Sequence, residues 1–297
     1  MAYRKFWLEN SLGAKYHLAD RASAIFFYEP DGLGFSKEIE TERVGNQETV
    51  ISELIDMPTV SGELLFYKDT TSNKYQEYYN FIQFIKYKPL KLHYLPPNTQ
   101  EDYVCNVVMT KLDKSEVSSD DNVLHCATEI RCLTHWQTSQ TRTIVVTADA
   151  SDDSKDYPLS YPYGYGAGSL NNIELRNEGT EAVGMVIEIT GEAVNPQIAL
   201  FDENNNEYGL LKLSGTFDYV RINTNDVEEE IYLERNGAPL ANPVSYQDFV
   251  TYQGLTDDKI KTTFIQLNVG MTKMSCTFVN EFDGSVSISW KPTYATV

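Results

Sequence analysis

The chain has 297 residues, enough for two domains of ordinary size, and 41% of them are hydrophobic. It carries 24 Lys and Arg against 43 Asp and Glu, a net charge of −19, and so acidic a surface disfavours binding to the phosphate backbone of nucleic acids. No apolar run reaches the ~18–20 residues that cross a bilayer, and four cysteines in so long a chain do not form a disulfide framework.

The opening residues predict short strands joined by turns. Residues 3–12 read as a strand, Gly13 as a turn, and a second strand runs to about Leu18. A glycine-rich turn over residues 30–35 then presents the aromatic side chain of Phe35. No catalytic motif has this form.

One amphipathic helix before Pro89 is the clearest local prediction. Aromatic and aliphatic side chains recur there at spacings of three and four, which places them on one face that packs on a sheet: Tyr75, Tyr78, Tyr79, Ile82 and Ile85. Ser72 or Asn73 can cap the start of the helix. Pro89 ends it, because proline cannot continue the backbone hydrogen-bond ladder.

The strands that follow contain the only metal-like group of residues in the sequence. Within the predicted strand of residues 123–133, Cys126 and Cys132 fall on one face, whereas His125 and His135 fall on the other. Six residues of strand also separate the two cysteines by roughly 20 Å. One zinc ion cannot reach all four side chains, so the sequence favours small buried thiols over a metal site.

A domain boundary is expected near residue 136, with a linker over about residues 137–168. In this segment a polar loop precedes tyrosines that alternate with Pro and Gly, which restricts the backbone to extended or turning conformations. Residues 164–168 are glycine-rich, but no Lys-Ser or Lys-Thr pair follows them, so a phosphate-binding loop is not predicted. The tyrosines favour a packed linker between a first domain, residues 1–136, and a second domain, residues 137–297.

The second half predicts short strands separated by turns. The turn signals suit hairpins because Asn, Asp and Gly tolerate positive φ, and they are Asn204–Asn206, Asn236–Gly237 and Asp283–Gly284. Residues 285–290 alternate strictly between polar and apolar, so one face of that strand is buried. Many short strands with frequent turns are typical of a β-sandwich.

The sequence proposes no catalytic site. It contains no Gly-x-Ser-x-Gly nucleophile motif, and no histidine follows His135 that could serve the second half as a base. The acidic residues 228–230 are adjacent and alternate across a strand, which indicates a solvated run. We therefore expect no catalytic residue, no bound metal and no cofactor.

Taken in order along both halves, these segments resemble the distal tail proteins (Dit) of long-tailed, non-contractile bacteriophages. In the first half the resemblance rests on residues 3–13, residues 30–35, the helix with Phe81 and Ile85, and residues 90–94. In the second half it rests on residues 177–179, 186–191, 195–196, Gly215, 219–222 and 288–290.

The resemblance implies a mostly β fold. Residues 1–136 would form a tail-tube-like β-sandwich or barrel with one α-helix, and residues 137–297 a galectin-like β-sandwich. Six copies of the first domain would close into a ring around a channel, with the second domain at its periphery.

The resemblance also implies the function and the partners. The protein would be a non-enzymatic hub at the tail tip of the virion, assembled in the cytoplasm of the bacterial host. It would contact its own copies, the major tail tube protein, the tip-associated tail protein and a receptor-binding protein, and DNA would pass through the channel without specific binding.

A carbohydrate-binding module that aids adsorption to the host surface is the alternative. Such a module needs exposed aromatic rings that stack on sugars. The candidate glycan contacts are Tyr163, Tyr165 and Trp290 in the second domain.

Overall fold

The computed structural model describes residues 4–18, 24–67, 71–117, 122–148, 169–213, 215–225, 230–235, 238–239 and 265–297. The chain divides into two compact units. The first unit contains residues 1–140 and 293–297, and the second contains residues 141–292. Within the described ranges, no helix is long and apolar enough to span a membrane.

The first unit is built from antiparallel strands and one described helix. In chain order its elements are β1 (Lys5–Glu9), β2 (Lys15–His17), β3 (Ile25–Asp31), β4 (Lys37–Val44), β5 (Gln47–Ile55), β6 (Thr59–Phe66), α1 (Thr71–Ile85), β7 (Leu90–Leu95), β8 (Tyr103–Lys114), β9 (Leu124–Cys132), β10 (Trp136–Thr138) and, near the end of the chain, β21 (Thr293–Tyr294). The main sheet has the order β2-β1-β7-β8-β9-β6-β3, and β10 adds to it by pairing with β8 and β21.

Leu18 connects the two edges of this sheet. Its backbone N–H donates to the Phe6 carbonyl of β1 at 2.8 Å, and its carbonyl accepts a hydrogen bond from the Phe27 N–H of β3 at 2.5 Å. Leu18 follows the edge strand β2, so the sheet is curved enough for this edge to bond the opposite edge strand β3, which makes the sheet a partial barrel. Closure of this kind pairs backbone groups that an open edge leaves exposed.

The core of the first unit lies between the curved sheet and α1. Phe81 is fully buried, and its ring contacts Tyr16 and Phe66 edge-on, at centroid distances of 5.3 and 6.0 Å. Tyr75 and Tyr78 pack partly buried against the same cluster, as the helical spacing predicts.

Tyr79 does not belong to the buried face of α1, although the spacing assigned it there. Its side chain is 55% exposed. The buried stripe of the helix runs through Lys74, Glu77, Phe81 and Phe84, at spacings of three and four, and residue 79 falls outside it. The helix ends before Pro89 as predicted, whereas the side chains of residues 71–73, which include the predicted caps, lie outside the described part.

The second unit is a sandwich of two antiparallel sheets. Its strands are β11 (Arg142–Thr147), β12 (Ser169–Asn177), β13 (Met185–Val194), β14 (Gln197–Phe201), β15 (Glu207–Lys212), β16 (Thr216–Asn223), β17 (Glu230–Arg235), β18 (Ala238–Pro239), β19 (Gly270–Thr277) and β20 (Ser285–Trp290). One sheet has the order β11-β20-β13-β16-β17-β18 and the other β12-β19-β14-β15. Side chains of both sheets meet in one buried cluster, for example Ile187 and Leu175. The predicted fold class, mostly β with a helix in the first half and a sandwich in the second, is confirmed.

Two of the predicted hairpin turns lie in the described part, and only one of them is a hairpin. Asn205, with a φ of +62°, lies in the turn that joins β14 to β15. Asp283 and Gly284 instead lie in a connection that crosses from the four-stranded sheet to the six-stranded sheet. Glycine is required there for space, because a Cβ on Gly284 would lie 2.2 Å from the carbonyl oxygen of Thr190.

The connection between the units contains strands where a linker was expected. β11 falls within residues 137–168 and pairs with β20, and its Ile144 and Val146 pack against the core of the second unit. The chain also returns to the first unit at its end, because Gln137 of β10 pairs with Thr293 of β21. Residues 149–168 of the expected linker lie outside the described part.

The aromatic contact between α1 and the sheet gives a stability prediction. Phe81→Ala should destabilise the first unit by about 3–5 kcal/mol, because it leaves a cavity among buried rings. Urea unfolding measures this through the fluorescence of Trp7 and Trp136, in a Trp290→Phe background that removes the signal of the second unit.

Tyr79→Ala is the matched control on the same helix, and it should cost less than about 1 kcal/mol because the ring is largely solvated. Equal costs for the two substitutions would contradict the assignment of the buried face.

Candidate assembly interface

Residues 35–57 form a two-stranded arm that extends from the first unit. β4 and β5 pair only with each other, and a two-residue turn at Gly45 and Asn46 joins them, with a φ of +68° at Gly45. The eight residues of β4 span about 26 Å at the usual rise of a strand. Because the arm connects β3 to β6, it continues a hairpin that is anchored in the sheet.

The base of the arm is fixed by a close approach of two chain segments. Gly32 has a φ of +88°, and a Cβ at this position would lie 2.0 Å from the carbonyl oxygen of Thr59. Only glycine fits such a contact. Next to it, Ser36 Oγ donates to Asp56 Oδ2 at 2.9 Å. The predicted glycine-rich turn therefore determines where the arm leaves the sheet.

The arm exposes large apolar side chains on an otherwise polar ribbon. Their side chains are 38–65% exposed, and they are Phe35, Ile39, Val44, Val50, Ile51 and Met57. An isolated two-stranded ribbon is at best marginally stable in water and buries little apolar surface by itself. Exposed apolar surface of this kind marks an interaction site.

The arm is also acidic. Its strands carry five glutamates against one lysine and one arginine, namely Glu38, Glu40, Glu42, Glu48 and Glu53 against Lys37 and Arg43. A surface that accepts the arm should therefore be positively charged and partly apolar.

Such a surface exists at the end of α1, and we name it the basic patch: Leu12, Lys86, Tyr87 and Lys88. All four side chains are exposed, Leu12 to 68% and Tyr87 to 50%. The backbone N–H of Ser11 donates to the Tyr87 carbonyl at 3.3 Å, which holds the two segments of the patch together. The patch thus combines two cations with two apolar side chains.

Sequence reasoning missed both surfaces, although the arm carries a recognisable signal. Gly45-Asn46 is a two-residue turn of the kind that joins hairpin strands, and β-branched residues alternate with charged residues before it. The basic patch has no comparable signal, because Leu12 and Lys86 come together only through the fold.

A polar cluster on the first unit contains a histidine, an aspartate and a serine. His93 Nδ1 lies 2.9 Å from Asp102 Oδ2, and Trp7 stacks on the imidazole at 4.8 Å. Burial lowers the pKa of His93 despite its carboxylate neighbours, so the ring is neutral and donates its Nδ1–H to Asp102. Burial of Asp102 works against its charge, but hydrogen bonds from Ser139 and His93 outweigh this and hold the pKa of Asp102 below its usual value.

This cluster does not have the geometry of a nucleophilic site. Ser139 Oγ donates to Asp102 and not to His93. A serine nucleophile needs a base that accepts its proton, and here the hydroxyl is bonded to a carboxylate whose low pKa makes it a weak base. The cluster therefore ties together the segments that carry these residues.

The four cysteines are all buried free thiols. Cys126 and Cys132 point into the core and His125 points away from it, with its Nδ1 3.1 Å from Glu63 Oε2. The predicted division of faces is confirmed for these three residues, whereas His135 lies beyond the end of β9. Cys132 instead lies beside Cys105, with 3.4 Å between the sulfur atoms. No group of three or more potential metal ligands occurs in the described ranges.

The candidate glycan contacts are not brought together by the described structure. Tyr163 and Tyr165 lie outside the described residues. Trp290 is 5% exposed and belongs to the core of the sandwich, so its ring is packed among aliphatic side chains and offers no face to a sugar.

Comparison with known proteins supports one family. The family model described as "Distal tail protein, N-terminal domain" matches residues 5–133. No curated protein matches the sequence closely enough to count as a relative.

Two solved structures share the fold over nearly the whole chain. The Dit protein of phage SPP1, described as a hub of the adsorption apparatus in phages that infect Gram-positive bacteria, is 13% identical, with a TM-score of 0.62 over 96% of this chain and 98% of its own. A chain of the phage P2 baseplate in its activated conformation is also 13% identical, with a TM-score of 0.55 over 99% of both chains.

The buried thiols give a prediction about reactivity. Burial raises the pKa of Cys126 and of Cys276 to about 12, and it raises that of Cys105 well above its usual value. The thiolate is the reactive form, and all four side chains are buried away from the reagent. None of the four should therefore react with Ellman's reagent at pH 8 within minutes in the folded protein, and all four should react in guanidinium.

Gln76→Cys, on the exposed face of α1, is the positive control and should add one fast-reacting thiol. Rapid labelling of a native cysteine in the folded protein would show that the core opens on this timescale.

Proposed function

We propose that this chain is a distal tail protein and forms the hexameric, non-enzymatic hub of the phage tail tip. The match of residues 5–133 to the N-terminal domain of that family supports this proposal. The first unit makes the ring and the second unit lies at its periphery. The ring domain then comprises residues 1–136, as proposed from the sequence. Residues 293–297 are added to it, because β21 pairs with β10.

The arm is the observation that carries the proposal. It is acidic and partly apolar, whereas the basic patch on the same unit is cationic and partly apolar. We place the arm of one copy on the basic patch of the next. Two different surfaces then meet at each contact, so the contact is head-to-tail and closes into a ring when its rotation divides a full turn.

The hub proposal assigns partners to the ring. One face of the ring contacts the major tail tube protein and the opposite face contacts the tip-associated tail protein. The periphery anchors a receptor-binding protein. The ring is part of the virion and assembles in the cytoplasm of the bacterial host.

The acidic excess of the chain supports passage of DNA without binding. A lumen lined by carboxylates repels phosphates, so DNA slides through without specific contacts. Lysine or arginine side chains along the lumen would contradict this part of the proposal.

The first test is the assembly state of the full chain. Mass photometry across a concentration series should show a species of six copies, and negative-stain images should show rings with six-fold symmetry. A monomer at all concentrations, together with no rings on addition of the tail tube protein and the tip-associated protein, would contradict the hub.

Replacing residues 141–292 with a Gly-Asn-Gly turn between β10 and β21 locates the ring-forming part. The two strands are paired antiparallel, so a short turn can join them. Rings should persist in this variant at a smaller diameter. Loss of rings with the first unit still folded would place the ring contacts in the second unit.

A charge exchange tests the contact itself. Glu40→Lys with Glu42→Lys should weaken assembly at least ten-fold, because two repulsive pairs replace two attractive ones at every interface. Adding Lys86→Glu and Lys88→Glu should restore assembly, and the midpoint concentration of the mass-photometry series measures both effects.

Glu174→Lys with Glu192→Lys is the matched control, since it makes the same change of net charge at exposed positions of the second unit. A similar loss of assembly in the control, or no rescue by the second pair of substitutions, would show that the arm does not bind the basic patch.

A further inference from the structure

The outer face of the four-stranded sheet in the second unit contains an open pocket of about 370 Å³. It lies where β12 passes β19 and β14. Its lining side chains include three amides, an ammonium group, a hydroxyl and an aromatic ring: Asn171, Asn172, Asn205, Lys273, Ser275 and Phe201. This volume lies within the usual range for small-molecule sites.

A β-bulge produces one wall of the pocket. The register of β12 against β19 shifts between Leu170 and Ile173, so that Asn171 and Asn172 together lie opposite the single residue Ser275. Asn172 has a φ of +59°, in the left-handed region. Bulges of this kind redirect side chains and are frequent beside functional sites.

The β14–β15 hairpin produces the opposite wall. Asn205 in its turn has a φ of +62°, and its Oδ1 accepts a hydrogen bond from Lys273 Nζ at 2.7 Å. Two residues with left-handed backbone therefore line the same pocket from different elements. Sparsely populated backbone conformations cluster at ligand sites, and an observed cluster is a reason to look for a ligand.

The charge in the pocket is positive. Lys273 forms no ion pair with any carboxylate of the described residues, and its cross-strand neighbour Glu174 does not line the pocket. One N–H of the ammonium group is used by Asn205, which leaves two donors for another acceptor. The described lining contains no carboxylate.

We propose that this pocket binds a saccharide that carries a carboxylate or a phosphate group. Lys273, held in place by Asn205, pairs with the anionic group. The Asn171 and Asn172 amides and the Ser275 hydroxyl bond the sugar hydroxyls, because each of these groups can donate and accept. Phe201 packs against the apolar face of the sugar ring.

This site is separate from the glycan contacts considered from the sequence, and it does not depend on ring formation. A failure of the assembly tests leaves it unaffected, and a failure of the binding test leaves the hub unaffected.

Ligand-detected NMR on the full-length protein tests the proposal with three sugars at up to about 20 mM, since small polar ligands bind in the millimolar range. The probes are glucuronate, glucose 6-phosphate and neutral glucose. At least one anionic sugar should bind at least ten-fold more tightly than glucose, and comparison of the two identifies the preferred anion.

Three variants assign the binding to the pocket. Lys273→Gln should remove the preference for the anionic sugar over glucose. Asn205→Gly, which keeps the positive φ of the turn, should weaken binding of the anionic sugar at least three-fold. Lys212→Gln, on the neighbouring strand β15 and outside the pocket, should change nothing. Circular dichroism confirms that each variant is folded.

Three outcomes would overturn the proposal. The first is no binding of any of the three sugars by the wild type. The second is unchanged binding of the anionic sugar by Lys273→Gln. The third is equal affinity for inorganic phosphate and glucose 6-phosphate, because the pocket would then bind anions without recognising the sugar.

Discussion

The need to pair the backbone groups at the edges of a β-sheet is the constraint that explains most of this structure. The N–H and C=O groups of an edge must find partners, and an edge that stays open invites pairing with another chain. The first unit pairs its edges internally, because Leu18, which follows the edge strand β2, bonds Phe6 of β1 and Phe27 of the opposite edge strand β3. The edge strand β3 also contains Pro30, which lacks an N–H and cannot extend a ladder. The body of the unit is thereby closed.

Once the body of the first unit is closed, the arm is the element whose strand edges and apolar side chains find no partners in the other described residues of the unit. β4 and β5 satisfy only each other, and apolar side chains such as Ile39, Val50 and Ile51 remain in water. The base of the arm, in contrast, is fixed by contacts within the chain. Gly32 lies against Thr59, and Ser36 donates a hydrogen bond to Asp56. The base therefore fixes where the arm leaves the body, whereas the ribbon itself gains stability when a neighbour covers its apolar side chains.

Local patterns predicted much of this fold, and contacts between distant residues account for the rest. The 3.6-residue period located α1 and its buried Phe81, and the strict alternation of residues 285–290 located β20. The same period misplaced Tyr79, because a spacing defines a stripe only to within one residue at its margin. Gly284 was read as a hairpin residue, since a sequence cannot show that glycine is needed for its small size next to Thr190.

The candidate sites show the same limit. The arm could have been predicted from Gly45-Asn46, but the basic patch and the pocket are assembled from segments far apart in the chain. Lysines are scarce in a chain with 43 acidic residues, and several of them pair with nearby carboxylates, as Lys15 does with Glu9 at 3.3 Å. Within the described residues, Lys86, Lys88 and Lys273 form no such pair. In an acidic protein, a cation without a carboxylate partner keeps its charge available for another molecule, which is the physical reason that the proposed contacts are placed at these three lysines.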